Sequence, residues 1–149
     1  MSKEENITQA LIKQFAYLEG HIKTTRPRRI FLEIDPSRLE AVLEYALKNL
    51  GFLHLVSITG LDEEDKLGFI YHLAEDSGVV LNLKTSVLKD HPEIRTITKY
   101  FSGAEIYERE LVDLFGVQVE GLPAGNRYPL TDDWPAGQFP LRKDWKQAS

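Results

Sequence analysis

Tyr107-Glu108-Arg109-Glu110-Leu111-Val112-Asp113-Leu114-Phe115-Gly116 decides how the last third of this chain is read, and with Phe101 to Ile106 before it the stretch predicts a short helix. Ser102 stands at the cap, Glu105 three residues on completes a capping box, and Phe101 with Ile106 occupies the places of a hydrophobic staple. Gly116 falls where a left-handed closing residue is wanted. Ala104, Tyr107, Leu111, Leu114 and Phe115 recur on one side at helical spacing. Val117 to Ser149 then holds four of the seven prolines and three of the ten glycines, together with both tryptophans, Trp134 and Trp145. Proline and glycine forbid regular structure, whereas a disordered tail is poor in large aromatics. The segment is therefore expected to take a definite shape from a surface it lies on, either its own domain or another protein.

Size and composition set the bounds. A chain of 149 residues, 42% hydrophobic and 10% aromatic, suits one domain with a single core and an appendage. No run approaches the roughly 20 apolar residues of a membrane span, and Met1 to Glu5 lacks the basic start and apolar block of a secretory signal. Eighteen Lys and Arg against 23 Asp and Glu give a net charge of −5, which argues against nonspecific nucleic-acid binding. With no cysteine, the chain has no disulfide, thiol nucleophile or thiolate to hold an iron–sulfur cluster or nickel.

Upstream, Asn6 to Glu19 predicts an amphipathic helix with Ile7, Ala10, Leu11, Phe15 and Leu18 on one face. Arg26-Pro27-Arg28-Arg29 reads as a solvated entry to a strand carrying Ile30, Leu32 and Ile34. Asp35-Pro36 caps a second helix, which buries Leu39, Val42, Leu43, Ala46 and Leu50 and closes at Gly51. Phe52 to Thr59 is apolar on both faces, as a central strand is. Leu67 to Leu73 and Val79 to Thr85 alternate and join through Glu75-Asp76-Ser77-Gly78 as an antiparallel hairpin. Asp62-Glu63-Glu64-Asp65 reads as a solvated turn, since it lacks the glycine and spaced oxygens of a calcium loop. A short helical stretch is expected around Ile94, Ile97 and Phe101. The sum is an α+β fold of two layers, a mixed sheet of about four strands with helices packed on it, over residues 1–116, followed by an extended Pro/Gly-rich tail over 117–149.

Candidate chemistry is sparse. His21, His54, His72 and His91 show no metal-ligand spacing, although His54 and His72 lie in strands where they could be neighbours. No phosphate-binding glycine loop and no nucleophile elbow is present. Glu110 and Asp113 share a helix face and could form an acid/base pair, with Asp132 as a third carboxylate, so a free-standing hydrolase remains one reading. Pairing of Glu105 and Asp113 with Arg109, four residues away on either side, is the plainer account. A small-molecule-binding module, which requires an apolar cavity over the sheet, is another reading. Arg127 to Trp134 and Pro140 to Trp145 combine arginine, tyrosine and tryptophan, the residue types that dominate binding hot spots.

Glu108-Arg109-Glu110, Asp113-Leu114-Phe115-Gly116, Leu130-Thr131-Asp132 and Pro140-Leu141-Arg142-Lys143-Asp144 resemble the signature of the C subunit, or thirty-kilodalton subunit, of respiratory complex I. Ser57-Ile58-Thr59-Gly60-Leu61-Asp62 is similar to the family's strand end. Where the family has His-Pro and paired arginines after the helix, this chain has Leu122-Pro123-Ala124-Gly125-Asn126-Arg127, lacking the histidine and one arginine. The run from Thr131 to Trp145 looks closer to the homologous subunit of membrane-bound, energy-converting nickel–iron hydrogenases, and both assignments stay open. The resemblance implies a non-catalytic structural subunit in the hydrophilic arm of an electron-transfer complex, cytoplasmic and peripheral to the membrane. Such a subunit braces the large catalytic and the small iron–sulfur subunits, and its tail lies along the large one. It holds no cofactor, the iron–sulfur clusters and the flavin or nickel–iron centre residing in its partners. Glu108, Arg109, Glu110 and Asp113 are then expected to order the helix and its junction with the tail. Arg127, Trp134, Leu141, Arg142, Lys143, Asp144 and Trp145 are expected to make partner contacts.

Overall fold

A computed structural model describes residues 1–147. Its elements run α1 (Lys3–Gln14), a single 3₁₀ turn (Ala16–Leu18), β1 (Ile22–Arg26), β2 (Arg29–Glu33), α2 (Pro36–Asn49), β3 (His54–Asp62), β4 (Lys66–Ala74), β5 (Val80–Leu88), β6 (Glu93–Arg95), α3 (Ala104–Phe115) and β7 (Gln118–Glu120). Five strands form a mixed sheet in the order β1-β2-β5-β4-β3, and β6 and β7 pair separately. β1 is antiparallel to β2, whereas β2 runs parallel to β5 with Ile30 opposite Leu81 and Leu32 opposite Leu83. The mixed α+β architecture is the one expected from the sequence, with more strands than expected.

The chain divides into two compact units, one of residues 1–59 and 70–85, the other of residues 60–69 and 86–149. In the first, α1 starts earlier than its apolar spacing suggests. Ser2 accepts from the Glu5 amide and Glu5 accepts from the Ser2 amide, a capping box at the very start of the chain. α2 begins as predicted, with Asp35 accepting from the Ser37 amide and Pro36 in the first turn. Its buried face is Leu39, Val42, Leu43 and Ala46. Each large apolar chain on that face is worth roughly 1.5–3 kcal/mol over leaving it in water. Ile30, Leu32, Tyr71, Leu73, Leu81 and Leu83 are fully buried in the same unit.

The predicted hairpin turn is built around Glu75. Its carboxylate accepts from the Ser77 hydroxyl and the amides of Ser77 and Val79, and pairs with Lys3 Nζ at 2.6 Å. Burial pushes this carboxyl up, but the bonds from Lys3, Ser77 and Val79 overcome that and hold it at about 2. His54 and His72 take separate partners. His54 faces Asp76 at 3.3 Å, whereas His72 lies between Thr59 Oγ1 at 2.8 Å and Asn82 Oδ1 at 2.6 Å. Asn82 donates its amide to the Ile30 carbonyl, which turns its oxygen toward His72 Nδ1. The neutral tautomer with the proton on Nδ1 satisfies both contacts of the ring.

Three expectations are corrected. β3 lies at an edge of the sheet, not at its centre: a strand apolar on both faces reads as central, and periodicity cannot say what lies beside it. The segment around Ile94 is β6, paired in parallel with β7 (Glu93 with Gln118, Ile94 with Val119, Arg95 with Glu120), and no helix. α3 has Gly103 at its cap and no side-chain cap bond, and Ile106 is exposed, so neither the Ser102 box nor the Phe101–Ile106 staple forms. Glu105 is instead drawn to Arg109.

Candidate functional site

The second unit is organised around both ends of α3 and the turn after β3. Gly60 in β3 lets α3 approach closely: a Cβ there would stand 2.5 Å from Phe115 Cε2 and 2.9 Å from Leu111 Cδ2, so any larger residue forces those side chains to shift. At the far end Gly116 closes α3 with φ 74°, in the left-handed region, and the Phe139 ring lies where its Cβ would be. Leu67, Phe69, Ile94, Ile97, Phe101, Ala104, Leu111, Phe115 and Val117 form the buried apolar set of this unit.

Inside that set lies Glu108, with 0% of its surface exposed. Its carboxylate accepts from the Ile97 amide at 2.8 Å and the Thr96 hydroxyl at 2.6 Å, fixing the turn between β6 and α3. Burial raises its pKa; the bonds from Thr96 and Ile97 oppose this without cancelling it. Asp113 is also buried, accepting from the Leu130 amide at 3.2 Å and facing Arg127 Nε at 3.9 Å. Arg109 pairs with Glu105 at 2.8 Å and donates to the Pro123 carbonyl. Thus Glu108 anchors the turn before the helix, and Arg109 and Asp113 hold the segment after it. Of the two ion pairs read around Arg109, the one with Glu105 forms and Asp113 turns to Arg127. Glu110 is half-buried on the same helix.

The 62–65 turn is more than a solvated loop. Asp62, its side chain 2% exposed, accepts from Lys89 Nζ at 2.7 Å, from the Lys143 amide at 2.8 Å and from the Glu64 amide at 2.9 Å. Burial raises this carboxyl, and the hydrogen bonds outweigh it and hold it at about 2. Glu63 accepts from Ser86, and Glu64 pairs with Lys143 Nζ at 2.9 Å. Lys89 also faces Asp144 at 3.4 Å. The bond from Asp62 lifts the Lys89 pKa, and the bond from Glu64 lifts that of Lys143. Asp62, Lys89, Lys143 and Asp144 therefore form one latch on the final segment.

Above the latch, the Leu141 amide donates to the Leu114 carbonyl and Arg142 Nε to the Phe115 carbonyl at 2.6 Å, taking up carbonyls at the C-terminal end of α3. Trp134 and Trp145 pack with ring centroids 5.9 Å apart, and both indole N–H groups reach Gln138. Arg127 donates to the Trp134 carbonyl at 2.6 Å. The expected residues after Gly116 are thus gathered by contacts inside their own unit, with Leu141 left 52% exposed. Asp62, Lys89, Gly60 and Phe139 were missed as participants. Only the motif ending at Asp62 pointed toward them.

Among the described residues no group of three or more His, Cys, Asp or Glu is arranged to hold a metal ion, and no helix is long and apolar enough to cross a membrane. Residues 32–149 match the family model described as the respiratory-chain NADH dehydrogenase 30 Kd subunit. The chain is 34% identical over 143 residues to the C subunit of the F(420)H(2) dehydrogenase of Methanosarcina mazei, covering 94% of this chain and 90% of that one. It is 28% identical over 152 residues to membrane-bound hydrogenase subunit beta of Pyrococcus furiosus, covering 98% and 88%. A chain of the membrane-bound sulfane sulfur reductase, an archaeal respiratory membrane complex, superposes with a TM-score of 0.85 at 27% identity, covering 97% of this chain and 86% of that one. A match over most of the length, through both the sheet and the α3 latch, places this chain in the family of the respiratory-chain NADH dehydrogenase 30 Kd subunit.

Proposed function

We propose that this chain is a non-catalytic structural subunit in the hydrophilic arm of a membrane-associated electron-transfer complex, where it braces the large catalytic and small iron–sulfur subunits. The observation that carries this reading is its full-length likeness to subunits of such complexes combined with a cysteine-free sequence, which leaves no thiolate to hold a cluster. The relatives' names span an F(420)H(2) dehydrogenase, a hydrogenase and a sulfane sulfur reductase. A subunit shared by complexes with such different redox chemistry is best suited to what they have in common, the holding together of the arm. A soluble position peripheral to the membrane, on its cytoplasmic side, accompanies that role.

The latch supports it physically. A proline-rich segment fixed in advance by Asp62, Asp113 and the end of α3 loses little entropy on docking, so its outward side chains bind more favourably than those of a free tail. Leu141 and Tyr128 are the exposed apolar groups there. The hydrolase reading fares worse, because Asp113 is committed to Arg127 and the Leu130 amide.

Purification of the tagged full-length chain from its native membranes tests the proposal. Leu141→Asp should leave the thermal stability of the isolated chain unchanged and lower co-recovery of the large subunit at least tenfold. Undiminished assembly of the Leu141→Asp, Tyr128→Ala double variant would overturn the role given to this segment.

A further inference from the structure

The turn between β1 and β2 gathers positive charge in an acidic chain. Residues 20–32 hold Lys23, Arg26, Arg28 and Arg29 and no Asp or Glu, whereas the whole chain carries a net charge of −5. Lys23 and Arg26 are exposed on β1, an edge strand of the five-stranded sheet, and Arg28 is exposed on the turn that follows it. Two features of these arginines run against local chemistry. Arg28 has φ 64°, in the left-handed region that glycine and asparagine occupy at less cost. Arg26 stands directly opposite Arg29 across the β1–β2 ladder, and like charges in such a pair repel. A turn selected for stability alone would place glycine or asparagine at 28 and would not set two cations face to face.

The backbone of the turn is held in advance. The Arg28 amide donates to Glu4 Oε1 at 2.9 Å, and Arg29 Nη1 donates to the Arg28 carbonyl at 2.9 Å and the Gly78 carbonyl at 3.4 Å. Acids packed nearby are committed, Glu4 to that amide and Glu75 to Lys3 at 2.6 Å. No carboxylate of the described residues pairs with Lys23 or Arg26.

We propose that the β1–β2 turn is a docking site for a carboxylate-rich segment of a neighbouring subunit. This rests on the reading of the chain as a subunit of an assembly and names the chemistry of one contact. A guanidinium offers parallel N–H donors that match the two oxygens of a carboxylate, and such charged pairs are stronger than neutral hydrogen bonds. Arg29 bonds through Nη1 alone, so its other N–H groups remain for a partner. A carboxylate arriving between Arg26 and Arg29 converts their mutual repulsion into attraction to a shared anion. An anionic lipid surface is the poorer occupant, because a short basic stretch needs apolar side chains that enter the acyl region, and none of the exposed large apolar residues falls within 20–32. Protection of the sheet edge is served by a single lysine on the strand and accounts for neither the left-handed Arg28 nor the facing arginines.

Two measurements on the tagged full-length chain test this. Arg26→Thr combined with Arg28→Asn relieves the repulsion and the left-handed strain, so the isolated double variant should melt at or above the Tm of the parent, while recovery of the complex from native membranes falls roughly tenfold. In the complex carrying Arg26→Lys, a carbodiimide, which joins an amine to a carboxylate it touches, should link position 26 or Lys23 to an Asp or Glu of a companion subunit. Normal recovery of the complex by the double variant overturns the docking turn and leaves the subunit role standing; if that variant also aggregates when alone, the cations belong to edge protection. Recovery of the parent without any companion subunit overturns both readings. Retention of the lone parent chain, but not of the double variant, on vesicles of equal parts phosphatidylcholine and phosphatidylglycerol assigns the turn to a lipid surface and overturns the proposed occupant. Absence of any such link in an assembled complex overturns the proposal too, and this result decides alone if the double variant fails to fold.

Discussion

Replacing Asp62 by Asn keeps the shape of the latch and removes its charge, so the cost can be worked out in two ways. A carboxyl with an ordinary pKa of 3.8, held at about 2 in the folded chain, differs by about 1.8 units, or about 2.5 kcal/mol at 1.36 kcal/mol per unit. Alternatively, removing one partner of a buried ion pair costs about 3–5 kcal/mol, and here the loss is smaller because Lys89 retains Asp144 at 3.4 Å and the amide oxygen still accepts from Lys143 N. Both routes give about 2–3 kcal/mol, or a fall in Tm of roughly 5–10 °C for a chain of this size. The sign with pH follows from the depressed pKa. The contribution is complete above pH 3.8, declines as pH falls toward 2, and is absent in the Asp62→Asn variant. Thermal melts of parent and variant at pH 7 and at pH 2.5 should therefore differ widely at the first pH and converge at the second. Because Asp62 holds the Lys143 amide, exchange near residues 141–145 should also speed up in the variant at pH 7. A Tm change below about 2 °C at pH 7, or a gap that persists undiminished at pH 2.5, would refute the latch.

Glu108→Ala leaves the Ile97 amide buried without an acceptor and opens a void, for a loss of about 3 kcal/mol, whereas Glu108→Gln keeps one acceptor, sheds the cost of burying charge and stays within about 1 kcal/mol in chemical denaturation. Its pH dependence is opposite to that of Asp62: with the folded pKa above 4.5, its contribution is complete below 4.5 and lost as pH rises through the raised value, and Glu108→Ala abolishes that slope. Gly60→Ala forces Phe115 and Leu111 to move and should cost about 1–3 kcal/mol; Phe115→Leu added to it should recover about 1 kcal/mol of that in a double-mutant cycle.

Much of the fold was legible because it was written in local chemistry. Asp35-Pro36 set the start of α2, and the alternation of β4 and β5 around Glu75 to Gly78 set a hairpin. What escaped depended on distance. Glu93 to Arg95 has too few residues for a period, and only its pairing with Gln118 to Glu120, more than twenty positions away, makes it a strand. β3 looked central because its apolar composition records what it touches and not how many strands flank it. At the site, the family motif drew attention to Glu108, Arg109, Glu110 and Asp113, but it did not name the partners that Glu108 finds in Thr96 and Ile97 or that Asp113 finds in Leu130 and Arg127. That Asp62 lies beside Lys143 across eighty-one positions could not be seen. The Ser102 cap failed for a related reason, since a capping pattern competes with any arginine one turn on, and here Arg109 holds Glu105.

The central claim, that this chain holds other subunits and carries no electrons itself, is tested most directly by measuring reductase turnover with an artificial redox dye in two samples: the tagged full-length chain alone and the assembly recovered with it from native membranes. The account predicts turnover confined to the assembly, with iron and this chain in a constant ratio. Turnover by the lone chain, or its recovery from membranes with no companion subunits, would contradict it.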